Sequence, residues 1–96
     1  AVFAVNDIIA LGALQAAHSA GLQVPEQISI IGMDDIFAAA TTFPPLTTIA
    51  KPKRDIGETA ARFLLERING TAPEVPRHSL LRSTLIARQS TRPPAA

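Results

Sequence analysis

Ile28-Ser-Ile-Ile-Gly-Met-Asp34-Asp35 is a β-branched, apolar run that ends on two carboxylates. A run of that kind, apolar on both alternating faces, is the mark of a strand covered from both sides, as in a parallel sheet. A helix and a loop earlier, Ala1-Val-Phe-Ala-Val5 follows the same pattern and ends on Asn6-Asp7. Two such strands, each passing straight into polar groups, predict an open parallel sheet. Asn6 and the Asp34–Asp35 pair then stand side by side at the carboxyl ends of strands, where sheets of this type bind ligands. An amide beside a carboxylate suits a ligand rich in hydroxyl or N–H groups.

The segments around these strands punctuate clearly. Asp7 to Ala20 reads as a helix, with Ile8, Leu11, Leu14 and His18 near one face and Ala10, Ala13 and Ala17 beside it. Asp7 in its first turn complements the positive end of the helix dipole. Gly21 stops it and Pro25 prevents its resumption. Gly32 permits a close backbone approach by a ligand or a neighbouring loop. Ile36–Ala40 predicts a short helical turn, and Phe43-Pro-Pro-Leu-Thr-Thr-Ile49 an extended stretch. Pro52 opens a second long helix. Its buried stripe is expected to be Ile56, Ala60, Phe63, Leu64 and Ile68, with Glu58, Arg62 and Glu66 pairing on the exposed side. Asn69-Gly70 closes that helix. His78–Ala87 reads as one or two strands, and Arg88–Ala96 as a frayed tail. The order is that of a layered α/β fold: a mostly parallel sheet flanked by helices.

Composition narrows the function. The 96 residues make one small domain, and 47% of them are hydrophobic. With only 4% aromatics and no Trp or Tyr, platforms for stacked nucleobases are not expected. A net charge of +1 is far from the basic excess of a nucleic-acid-binding module. No cysteine is present, which excludes disulfides and thiolate metal sites and is compatible with a cytoplasmic location. No apolar run is long enough to cross a membrane. The chain begins inside a strand, so the expectation is a piece of a longer protein. Unpaired strand edges and a bare apolar face then predict self-association or marginal stability.

Each candidate residue has a plain use beside the functional one. Asn6 can cap the first helix or meet a ligand. Asp34 and Asp35 can be solvated, can accept from a ligand hydroxyl, can share a proton or can hold a cation. A lone Asp-Asp lacks the oxygen cage that Mg²⁺ or Ca²⁺ requires, so no metal is assigned. His18 and His78 do not make a zinc site. Lys51, Lys53 and Arg54 form a basic cluster that reads as a solvated helix start. Ser19, Ser29, Ser79, Ser83 and Ser90 have no nucleophile-elbow context, and the glycines form no phosphate loop. The expectation is a binding module, not an enzyme, with no cofactor.

Five motifs in order resemble the LacI/GalR-type transcriptional regulators. They are Ala4-Val-Asn-Asp-Ile-Ile-Ala-Leu-Gly12, Gly21-Leu-Gln-Val-Pro to Asp35, Pro44-Pro-Leu-Thr-Thr-Ile49, Pro52 to Gly70, and Leu85-Ile-Ala-Arg-Gln-Ser-Thr91. The resemblance implies a periplasmic-binding-protein-like (type I) effector domain of which residues 1–91 supply part of the C-terminal lobe, with 92–96 a disordered tail. It implies binding of a sugar, nucleoside or similar effector, a homodimer, and DNA contact only through a separate N-terminal domain. By the same resemblance Asn6, Asp34 and Lys53 are effector-binding, and Leu11 and Phe43 belong to a dimer surface. Met33 stands where many members have an aromatic. Two other readings share the residues: a solute-binding protein of a sugar transporter, and a Mg-dependent Asp-Asp phosphatase or receiver-like domain.

Overall fold

The computed structural model describes residues 1–95, in the order strand, helix, strand, 3-10 turn, strand, helix, strand. The strands are β1 (Val2–Phe3), β2 (Ile30–Ile31), β3 (Thr48–Ala50) and β4 (Thr84–Ile86); the helices are α1 (Asp7–Ser19) and α2 (Lys53–Ile68). The chain divides into two compact units. One holds Ala1–Lys51 and the segment from Thr84 onward, the other Pro52–Ser83.

In the first unit β1 and β2 pair in parallel, Val2 opposite Ile30 and Phe3 opposite Ile31. β3 and β4 pair antiparallel, Thr48 opposite Ile86 and Ala50 opposite Thr84. A single parallel bridge between Ile31 and Thr47 links the two pairs. Backbone bonds continue it: Gly32 N–H donates to Thr47 O at 3.0 Å and Asp34 N–H to Ile49 O at 2.8 Å. The parallel pairing at β1 and β2 is the one that the two apolar runs predict, although the regular strands are shorter than those runs.

α1 forms where Asn6, in extended backbone, accepts from Ile9 N–H at 2.8 Å and so satisfies one free N–H of the first turn. It ends where Gly21 takes a φ of 74° and Leu22 N–H closes back on Ala17 O at 2.9 Å. The buried face is Ala10, Leu14 and Ala17, with Leu11 and Ala13 half-buried beside it. Ile8 and His18, expected on that face, point outward; Ile8 is 65% exposed. The reason is Gly32. Its bare Cα lets small residues of α1 approach the sheet, and this rotates the alanine stripe inward. A Cβ at Gly32 would lie inside contact distance of Asp7 Oδ1, 3.1 Å from Leu46 Cδ2 and 3.2 Å from Ala10 Cβ. Ile30, Leu46, Ala4 and Ala39 complete the core.

Asp7 is more than a dipole partner. It is fully buried at the first position of α1. Its Oδ1 accepts from the Thr48 hydroxyl at 2.6 Å and its Oδ2 from Ile36 N–H at 2.9 Å. Among the described residues no buried side-chain polar atom lacks a partner, so this carboxylate meets the condition on which burial of a charge is tolerated.

Of the segment expected to fray, residues 88–92 are docked. Ser90 is fully buried; its hydroxyl donates to Ile30 O at 2.5 Å and accepts from Thr47 N–H at 2.8 Å. Ile30 N–H donates to Ser90 O at 2.9 Å, and Arg92 N–H to Ser29 Oγ at 3.2 Å. Hydrogen bonds to residues 29–30 and 45–47, not apolar side chains, dock this stretch, so hydropathy did not reveal it. Of the expected tail, Ala96 lies outside the described residues. His78–Ala87 yields only β4, since residues 78–83 make no ladder.

In the second unit α2 buries none of its residues. The expected stripe is largely open: Ile56 is 44%, Leu64 60% and Ile68 68% exposed, and only Phe63 is half-buried. A helix and an irregular segment are a single layer, and one layer cannot enclose a core. What order there is comes from polar contacts. The Arg77 guanidinium lies 4.1 Å from the Phe63 ring centroid and bonds to Glu66. Arg54 pairs with Glu58 at 2.8 Å, whereas Arg62 reaches Glu66 only at 3.9 Å.

Removing the Asp7 carboxylate leaves the Thr48 hydroxyl and Ile36 N–H without an acceptor. Asp7→Ala is expected to lose about 3 kcal/mol of unfolding free energy, and Gly32→Ala about 2 kcal/mol by overpacking. In urea unfolding the double variant should lose less than the sum, because the side chain struck first by the new methyl is gone.

Candidate functional site

The parallel pattern runs in step as far as Ala4 N–H, which donates to Ile31 O at 2.9 Å, and then slips by one residue, so that Asn6 and Asp34 follow adjoining strand ends. Asp7 N–H, which donates to Met33 O at 2.8 Å, holds the strand ends together there. Both Asn6 and Asp34 are half-buried, as groups on an open ledge should be. Each group follows one of the two strands that pair in parallel, as the sequence predicts.

Asn6 performs its plain role: Oδ1 caps α1. Among the described residues no hydrogen bond uses its amide nitrogen, which remains as a donor on the ledge. The two acidic residues sit on unusual backbone. Asp34 has a φ of 119° and Asp35 a φ of 55°. Such conformations cost roughly 1–3 kcal/mol each and persist where the surroundings over-determine them. Here each N–H of the turn is held: Asp34 by Ile49 O at 2.8 Å, Asp35 by Thr48 Oγ1 at 3.4 Å, and Ile36 by Asp7.

The carboxylates have separate cations. Lys51 Nζ lies 3.0 Å from Asp34 Oδ1, and Arg88 Nη2 donates to Asp35 Oδ1 at 2.6 Å. The Asp34 side chain is 30% exposed and that of Lys51 41%. A pair this open contributes at most about 1 kcal/mol, so a ligand can displace or share it. A single hydroxyl placed between them can donate to the carboxylate and accept from the ammonium. A Mg-dependent Asp-Asp centre needs both acids on one cation; here they are committed to different side chains. Among the described residues no group of three or more His, Asp or Glu is placed to hold a metal ion.

Lys51 and Arg88 were not legible as site neighbours. Lys51 reads as part of a solvated cluster, and Arg88 as tail. The signal for both was charge: two adjacent acids at a strand end need cations from elsewhere. Lys53, the third expected site residue, is exposed at the start of α2 and belongs to the second unit. Leu11 packs half-buried against the core, and Phe43 is 99% exposed. Phe43 borders a groove of about 840 Å³, with Leu14, His18, Leu22, Val24 and Pro44. Neither Asn6 nor Asp34 lines that groove, since an open ledge walled on one side encloses little volume.

Fold and ledge together define an α/β lobe that carries polar groups beyond the ends of its parallel strands. The periplasmic binding protein-like domain family matches residues 1–91. The transcriptional repressor PurR of Aliivibrio salmonicida is 56% identical over 68 residues, covering 71% of this chain and 20% of the repressor. The regulator MalR of Streptomyces coelicolor is 44% identical over 91 residues, covering 95% and 26%. Among solved structures, the transcriptional regulator CelR in complex with cellobiose superposes with a TM-score of 0.88 at 36% identity, over 93% of this chain and 27% of that one. A LacI family regulator of Enterococcus faecium with bound ribose gives 0.81 at 39% identity, over 94% and 33%. The lac repressor dimer bound to operator and an anti-inducer gives 0.82 at 38%, over 93% and 30%. The chain belongs to the periplasmic binding protein-like family, in its LacI/GalR-type regulator branch. It spans about a quarter of the length of the regulators it resembles.

If Asp34 is held in strained backbone for its carboxylate, Asp34→Gly should relieve the strain. The urea midpoint should rise by an amount equivalent to about 1 kcal/mol, despite the lost pair with Lys51. A loss of about 1 kcal/mol or more would make the carboxylate structural.

Proposed function

We propose that this chain is part of the effector lobe of a metabolite-responsive transcriptional regulator and that its Asn6–Asp34 ledge receives a hydroxyl-rich ligand, a sugar in the first instance. The observation that carries the reading is the presence of an amide and a carboxylate just beyond the ends of two strands paired in parallel. The acid sits there on strained backbone, and Lys51 stands beside it. A carboxylate accepts from ligand hydroxyls, while the Asn6 amide and the Lys51 ammonium donate to them. Cellobiose and ribose, named with two of the similar structures, are ligands of that chemistry. Lys53 is proposed as a further contact to the effector.

The remainder of the proposal concerns the whole protein. It acts in the cytoplasm as a homodimer whose contact surface includes Leu11 and Phe43. It meets DNA through a separate domain, and it catalyses no reaction. No helix among the described residues is long and apolar enough to cross a membrane. The effector biases the regulator only by its differential affinity for two states of the protein.

Calorimetric titration of the intact protein with monosaccharides, disaccharides and nucleosides tests this reading. Asp34→Asn, which tolerates the backbone, should weaken the best ligand about tenfold or more. Asn6→Asp should do the same with little change in melting temperature, because aspartate caps a helix as well as asparagine but lacks the amide donor. Unchanged affinity in both variants would refute the ledge as the effector site.

A further inference from the structure

Arg88 is the charged residue at this end of the sheet to which the effector reading gives no task. Its side chain is 19% exposed and its guanidinium spans two directions. Nη2 donates to Asp35 Oδ1 at 2.6 Å and Nη1 to Leu46 O at 2.9 Å, while its own backbone N–H donates to Thr47 Oγ1 at 3.0 Å. Leu46 and Thr47 are buried, so the arm is anchored on a rigid base. We propose that Arg88 is a positioning residue of the effector ledge: it holds Asp35 in left-handed backbone and so sets where the preceding Asp34 carboxylate stands. The proposal rests on the effector reading and deepens it.

The bond lengths assign the task. Asp35 N–H reaches Thr48 Oγ1 only at 3.4 Å, a weak hold on a residue with a φ of 55°. The charge-assisted bond from Arg88 is the short one on that residue. Arg88 makes no bond to Asp34, so its influence on the ligand passes through the turn. A planar fork can serve Asp35 and Leu46 together, whereas a lysine ammonium is a point donor on a flexible stem. A residue that merely tied the closing segment to Leu46 would need no contact with the acidic turn.

The test compares wild type, Arg88→Gln and Asp35→Asn in the intact protein. One readout is the ligand-free HN–Hα and Cα–Hα couplings of Asp34 and Asp35, which report φ; the other is calorimetric binding of ribose and cellobiose. Relaxed couplings at both acids, with sugar affinity lowered about tenfold, are expected for Arg88→Gln. Asp35→Asn keeps the other Arg88 bonds and should give the same change in milder form; it carries the test should Arg88→Gln fail to fold. Couplings unchanged from wild type in a folded variant would overturn the proposal. Relaxed couplings with full sugar affinity would overturn it equally. Failure of the effector reading is separate: it appears as full affinity in Asp34→Asn, whose Arg88 is intact.

Discussion

A buried carboxylate is tolerated only when its oxygens are bonded, and Asp7 meets that condition with groups from distant parts of the chain. Thr48 comes from β3 and Ile36 from the turn after β2, while α1 contributes the acid itself and a favourable dipole. Gly32 supplies the room. One side chain therefore fixes a helix start, a strand and a turn against one another. Loss of any partner leaves the others unsatisfied, which makes the arrangement cooperative rather than a sum of separate bonds.

The ledge follows from that constraint. With the start of α1 pinned on Gly32, Asn6 falls at the end of β1 and Met33 O receives the Asp7 N–H. The turn at residues 34–36 is then held on one side by Asp7 and on the other by Arg88. Strain in the backbone of Asp34 is supported at its own N–H by Ile49 O and, on the residues that follow, by Asp7 and Arg88. The result is a carboxylate and an amide held rigidly at half-exposure, which is what recognition of small polar ligands requires.

Much of this was legible in the sequence because its signals are local. Asn6 as a cap, Gly21 and Gly70 as helix stops and Pro52 as a start depend on neighbours within a few residues, and the two apolar runs gave the parallel pairing. That Asn6 and Asp34 follow adjoining strands came from that pairing alone. What was not legible depends on partners far away in the chain. Nothing near Asp7 announces Thr48, and nothing near Ser90 announces Ile30. Ile8 and the α2 stripe were misread for a related reason. Periodicity says which residues share a face, not whether anything covers it; on α1 the bare Gly32 chose the alanine face, and on α2 no second layer lies within its unit.

The most direct measurement is native-state hydrogen exchange of the Ile36 amide. Its N–H lies in an irregular turn, and its only acceptor is the Asp7 carboxylate. If that carboxylate organises the structure, Ile36 exchanges only through global unfolding, with the same opening free energy as the core amide of Ile30. Exchange of Ile36 by local opening, while Ile30 stays protected, would contradict the account.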